Sequence, residues 1–164
     1  MTKTVQYGHW KSLVGAFVPL DWFGFLYLVY CKETKKFYIG KKQTISQSRV
    51  TVKGQKRKKI VVKESDWLTY CTSSTYIKAD IKKYGEDAFE FYIVGLFKTK
   101  GGLKYAETNM LHKFDVNVKS VDSKERMFYN LAIDAVRFVV TETDPLLEKR
   151  IQKIIKGKAP CLLG

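Results

Sequence analysis

The stretch GFLYLVYCKETKKFYIGKK (24–42) decides how this chain is read. GFLYLVY (24–30) is aromatic and apolar, KETKK (32–36) is polar, and FYIG (37–40) is apolar again. Two apolar runs around a short polar turn predict a β-hairpin. Each arm carries a tyrosine, Tyr27 and Tyr38, and the second arm runs directly into Gly40, Lys41 and Lys42. Tyrosines on strands are commonly half-buried packing residues with a wet hydroxyl, so the pair alone specifies no chemistry.

Downstream of the hairpin, residues 41–63 hold nine Lys or Arg and no Asp or Glu, which marks a basic insertion or long loop. Inside it VTVKGQKRKKIVV (50–62) sets two β-branched stretches around Gly54, the pattern of a second hairpin bearing cations. SSTYIKADIKKYG (73–85) opens on capping serines, spaces Ile77, Ile81 and Tyr84 for a helix, and closes on lysines and a glycine. AFEFYIVGLF (88–97) alternates as a strand does, and Leu103, Ala106, Met110, Leu111 and Phe114 form the apolar stripe of a second helix. A short strand is expected within 127–133. The order predicts an α+β domain, a small mixed or antiparallel three-stranded sheet flanked by helices.

The tail contains an apolar run (136–140) and then DPLLEKRIQKIIKGK, where Leu147, Ile151, Ile154 and Ile155 predict an amphipathic helix behind Pro145. Three regions follow from this: an N-terminal lead-in segment (1–22), a core domain with its basic insert (23–133), and a C-terminal helical extension (134–164).

At 164 residues the chain has the length of one domain, and its 45% hydrophobic and 14% aromatic content excludes disorder throughout. Thirty Lys and Arg against sixteen Asp and Glu give a net charge of +14, whose natural counterpart is a phosphate backbone or an anionic surface. Cys31, Cys71 and Cys161 make an odd set without metal-knuckle spacing, and His9 and His112 add no zinc pattern. A reducing cytoplasm is expected. The apolar stretch from Leu13 to Tyr30 is interrupted by Pro19 and Asp21, so it is read as buried strand, with no membrane association. Trp10, Trp22 and Trp67 are read as core residues.

Glu107 is the most informative residue, because the stripe of its helix sets a carboxylate among apolar neighbours. A buried carboxylate is costly unless paired or bound to a cation. Two readings stand: an ion pair with a lysine, or a ligand for Mg²⁺ (or Mn²⁺), which one or two carboxylates complete with water and substrate phosphate.

Together these residues resemble the GIY-YIG nuclease superfamily. The first motif is degraded to Phe25-Leu26-Tyr27, and the second is intact as Tyr38-Ile39-Gly40, with eleven residues from tyrosine to tyrosine. The 73–85 helix, the following strand, Glu107 and Asn130 in FYN come in the family's order. Within the superfamily, YIGKK, the basic insert, DWLTYCTSS (66–74) and FYN look like phage-encoded homing-type endonucleases.

The resemblance implies roles residue by residue. Tyr27 and Tyr38 would position or deprotonate the attacking water, with Lys41 and Lys42 supplying the field that favours a phenolate. Glu107 would hold the divalent ion, and Asn130 would be a polar helper near the scissile phosphate, although an Asn there is equally a turn residue. The family's arginine is not uniquely matched: Arg49 and Arg57 are both candidates, and either also suits a backbone contact. The frequent histidine after that arginine is missing, Tyr70 or Thr72 occupying the neighbourhood, and His112 reads as a surface residue.

The expected function is a metal-dependent DNA endonuclease acting by water attack. Lys41, Lys42, Lys53, Lys56, Arg57, Lys58 and Lys59 would bind the backbone of double-stranded DNA, and a homodimer would supply two active sites for two strands. The rival is a non-catalytic basic DNA- or RNA-binding protein that retains the fold.

Overall fold

A computed structural model describes residues 4–54, 56–116, 126–133 and 142–158. The architecture is built around a strand, β3 (Gly24–Cys31), whose eight residues are all buried. An unbroken apolar run suits a strand covered on both faces. The other strands of its sheet are β1 (Val5–Tyr7), β2 (Trp10–Ser12), β4 (Phe37–Gln43) and β7 (Phe89–Phe97), in the spatial order β1-β2-β7-β3-β4. Strands β2 and β7 run parallel, and the remaining neighbours are antiparallel. The α+β class is as expected, but among the described residues the sheet has five strands where three were anticipated.

The two extra strands come from the N-terminal lead-in, whose three-residue strands are too short for a periodic signal. Trp10 nevertheless sits in the core, its indole donating to the Trp67 carbonyl at 2.9 Å. At the opposite end, the strand expected within 127–133 reduces to one parallel bridge between Phe37 and Phe128. The 136–140 run lies outside the described residues.

Helices cover both faces. Strand β7 leads into α2 (Lys100–Lys113), which with α3 (Leu147–Lys158) packs on Leu26, Leu28, Ile39 and Val94. On the other face, α1 (Thr75–Tyr84) contributes Ile77 to a layer with Phe25, Tyr27, Val29, Phe91 and Trp67. Ser74 caps α1 by accepting from the Ile77 amide, and Gly85 ends it at φ 84°, a conformation that favours glycine. Among the described residues no helix is long and apolar enough to cross a membrane.

The basic insert forms a separate antiparallel ribbon, β5 (Ile45–Val50) and β6 (Lys59–Glu64). Its strands start earlier and end later than the 50–62 pattern suggests, with Gly54 in the turn region at φ 87°. The ribbon is fixed at its base, where Ser65 donates to the Thr44 carbonyl at 2.8 Å and Trp67 to Glu64 at 2.7 Å.

Candidate active site

Strand register assembles the tyrosines. Tyr27 on β3 lies opposite Gly40 on β4, and Val29 lies opposite Tyr38, so both phenols share the α1 face. On its other side β3 meets a β-bulge in β7: Leu26 faces Gly95 while Tyr27 faces Ile93, which leaves Val94 as the extra residue. The ring centroids of Tyr27 and Tyr38 are 6.0 Å apart. Glycine is required between them, because a Cβ at position 40 would stand 2.6 Å from the Tyr27 ring and hydroxyl and 2.7 Å from the Tyr38 ring.

The hydroxyls have polar neighbours from the segment before α1. Tyr27 Oη lies 3.5 Å from Tyr70 Oη, and Tyr38 Oη lies 3.2 Å from Ser73 Oγ. Burial pushes the Tyr27 phenol well above the ordinary tyrosine value, and the nearby Tyr38 and Tyr70 push it further. Burial also raises Tyr38, with the Glu107 charge adding to the effect. Desolvation, which disfavours the charged form, thus opposes the expected phenolate at both positions.

Successive residues on a strand point to opposite faces, so Lys41 and Lys42 part company. Lys42 turns toward the tyrosine face, 2.5 Å from Asp66 Oδ1 and 4.1 Å from the centre of the Tyr70 ring. It holds the Asp66 carboxyl below the usual carboxylate range. Lys41 turns toward α2 and forms an ion pair with Glu107, whose side chain is 14% exposed.

Glu107 thus reaches the site from the opposite face of β4. It comes close enough for its charge to act on Tyr38, since β4 is the edge strand of the sheet. Of its two readings, the lysine pair is present. Beside this edge lies a cleft of about 420 Å³ floored by Phe23 and Leu103 and bordered by Lys41, Lys42, Lys100, Lys104, Asp66 and Tyr70. Lys41 is paired with Glu107 and Lys42 with Asp66, so the cleft keeps a surplus of positive charge from Lys100 and Lys104 that suits a phosphate.

Residues 9–133 match the family model described as "Putative endonuclease segE, GIY-YIG domain". The chain belongs to the GIY-YIG nuclease superfamily. A search of curated proteins and one of solved structures each gave no match. The matched span begins at His9 and so takes β2 into the GIY-YIG domain, in keeping with its place in the sheet.

Within this GIY-YIG domain several expected residues take other positions. Asn130 is neither a turn residue nor directed at the cleft: its Oδ1 accepts from the Ile39 amide at 2.9 Å and its Nδ2 donates to the Ile39 carbonyl at 2.7 Å. The amide completes the edge of β4 as a neighbouring strand would, so Asn130 is a positioning residue. Arg49 and Arg57 are exposed on the ribbon and do not border the cleft. The cations that do border it are lysines, and Lys100 and Lys104 were missed by sequence reasoning. Their signal was the spacing of Lys100, Lys104 and Glu107, which places them on one side of α2. Tyr70, Asp66 and Ser73 were also missed in their roles, since DWLTYCTSS has no periodicity linking it to the hairpin. Lys53, Lys56, Lys58 and Lys59 are exposed on or beside the ribbon, and His112 is exposed on α2.

A divalent cation is tested by the donor set. No group of three His, Cys, Asp or Glu able to hold a metal occurs among the described residues. The single Glu107 carboxylate fits Mg²⁺ or Mn²⁺ only in a site completed by water and substrate phosphate, a coordination ordinary for Mg²⁺. Lys41 already occupies one of its oxygens and competes for it.

Proposed function

We propose that this GIY-YIG domain is a divalent-cation-dependent endonuclease that hydrolyses phosphodiester bonds of double-stranded DNA by water attack, leaving 5′-phosphate and 3′-hydroxyl ends. The observation that carries the reading is that the edge strand β4 sets the Tyr27–Tyr38 pair on one of its faces and the Lys41–Glu107 pair on the other, beside a lysine-lined cleft that Lys41 and Lys42 border. Glu107 would hold the Mg²⁺ or Mn²⁺, which supplies charge neutralisation at the phosphate and leaving oxygen. Lys42, Lys100 and Lys104 offset the remaining phosphate charge in a partly desolvated cleft, where such pairing is stronger than in water.

The phenols act as neutral donors and acceptors. Tyr38, the more exposed of the two, orients the attacking water, while buried Tyr27 fixes the ring of Tyr38 and the Tyr70 hydroxyl. The family description supports the endonuclease part of this reading; from the motif order we further propose a homing-type, phage-encoded enzyme working in the cytoplasm of a bacterial host, with a homodimer serving the two strands.

The rival reading, a binding module without catalysis, is favoured by the Lys41–Glu107 pair and by the degraded first motif. Plasmid cleavage in Mg²⁺ and in Mn²⁺ separates the two. Glu107→Gln is expected to retain DNA affinity and lose at least roughly a hundredfold in cutting, the scale on which loss of an electrostatic stabiliser acts. Wild-type protein that binds the plasmid but nicks it in neither metal would establish the binding module.

A further inference from the structure

We infer that the β5–β6 ribbon enters the major groove of duplex DNA and reads base identity through Arg49 and Gln47. This rests on the duplex-DNA reading above. The register makes the two faces of the ribbon different. Arg49 lies opposite Ile60 and Gln47 opposite Val62, so these four share one face; Val50 lies opposite Lys59 and Ser46 opposite Lys63, so those lysines lie on the other.

Each face has a chemistry suited to a different part of the duplex. Arginine pairs through two donors with guanine, glutamine pairs through donor and acceptor with adenine, and branched apolar side chains contact the thymine methyl group. The lysine face suits phosphates, which position a protein without carrying sequence information. No acid pairs with Arg49 among the described residues, and Glu64, on the same face, is held at the base by Trp67.

The shape agrees. Two strands about 4.8 Å apart form a ribbon that a groove about 12 Å wide admits. Among the described residues the ribbon packs mainly on itself and on the turn at Pro19–Asp21, and Ile60 is 58% and Val62 48% exposed. An isolated two-stranded ribbon gains little stability of its own in water, so exposed β-branched residues on a cationic projection need a partner. The net positive charge selects an anionic one, and a rigid base presents the same face each time.

The test is selection from a randomised duplex library with the full chain in metal-free buffer, so that binding is read without cutting. Wild type is expected to enrich sites with a fixed guanine and adenine. Arg49→Lys keeps the charge and the salt dependence of binding, yet should lose roughly five- to hundredfold of the preference at one base pair, because an ammonium cannot bond guanine as a fork does. Lys59→Ala with Lys63→Ala should weaken binding to all sequences alike and lower the salt slope by about two, with preference intact. Circular dichroism of each variant confirms an unchanged fold.

Wild type that enriches no sequence, or Arg49→Lys that keeps the full preference, overturns the inference. Plasmid nicking in Mg²⁺ is scored separately: nicking without sequence selection refutes the ribbon reading alone, and selection without nicking refutes the endonuclease reading alone. A chain that binds no duplex refutes both.

Discussion

Replacing Gly40 by alanine tests the site with a single methyl group. The added Cβ would lie 2.6 Å from the Cζ and Oη of Tyr27 and 2.7 Å from Cε1 of Tyr38, about 1 Å inside ordinary carbon contact. Tyr38 is half-buried and can swing outward. Tyr27 cannot, since its ring is hemmed in by Trp10 at 5.2 Å, Phe25 at 6.2 Å and Tyr70 at 6.2 Å between centroids. Overpacking of this kind costs about 1–3 kcal/mol. For a chain of this size that corresponds to a drop in Tm of roughly 2–12 °C, readable by far-ultraviolet circular dichroism. A 1 Å displacement of reacting groups can cost a hundredfold in rate, so plasmid cutting should fall further than stability does. Gly157→Ala is the matched control: nothing stands within 4 Å of its Cβ, and the helical position favours alanine. If Gly40→Ala melts within about 1 °C of wild type and cuts within about twofold, the packing of the two phenols around Gly40 is wrong.

Two further outcomes follow from the same geometry. Asn130→Ala leaves the buried Ile39 amide and carbonyl without partners, which should cost about 1–3 kcal/mol and accelerate hydrogen exchange at Ile39 while Val29, inside the sheet, stays protected; unchanged exchange at Ile39 would rule out the clamp. Alkaline pH should unfold the protein: buried Tyr27 and Tyr92 have their phenols raised in the folded state, so unfolded chains lose protons first. Stability is then full below about pH 10 and falls above it, by about 1.4 kcal/mol per pH unit for each such phenol. Tyrosinate absorbance rising together with loss of circular dichroism is the expected result. Ionisation of all ten tyrosines near pH 10 in an intact fold would contradict it.

Local pattern made much of the fold legible. The first hairpin, α1, α2, α3 and β7 each carry their own periodicity, caps or turn chemistry within a short window, and each formed close to where it was expected. Strands β1 and β2 were hidden because three residues carry no period; β2 is fixed by pairing with β7 some eighty residues away, and β1 by pairing with β2. The strand expected within 127–133 failed for the converse reason. Its apolar residues are there, but a single asparagine side chain satisfies the Ile39 edge where a second strand would have continued.

The site divides in the same way. Sequence alone determined that two tyrosines, a glycine and two lysines lie on one hairpin and that a carboxylate sits in a helix stripe, because strand alternation and helical spacing are properties of neighbouring residues. Only the tertiary structure decided that β4 is the edge strand of the sheet, that Glu107 meets Lys41 across 66 residues, and that Asn130 clamps Ile39 across 91. It also decided that burial raises both phenols, since desolvation depends on what long-range packing places around a group and no local spacing encodes that.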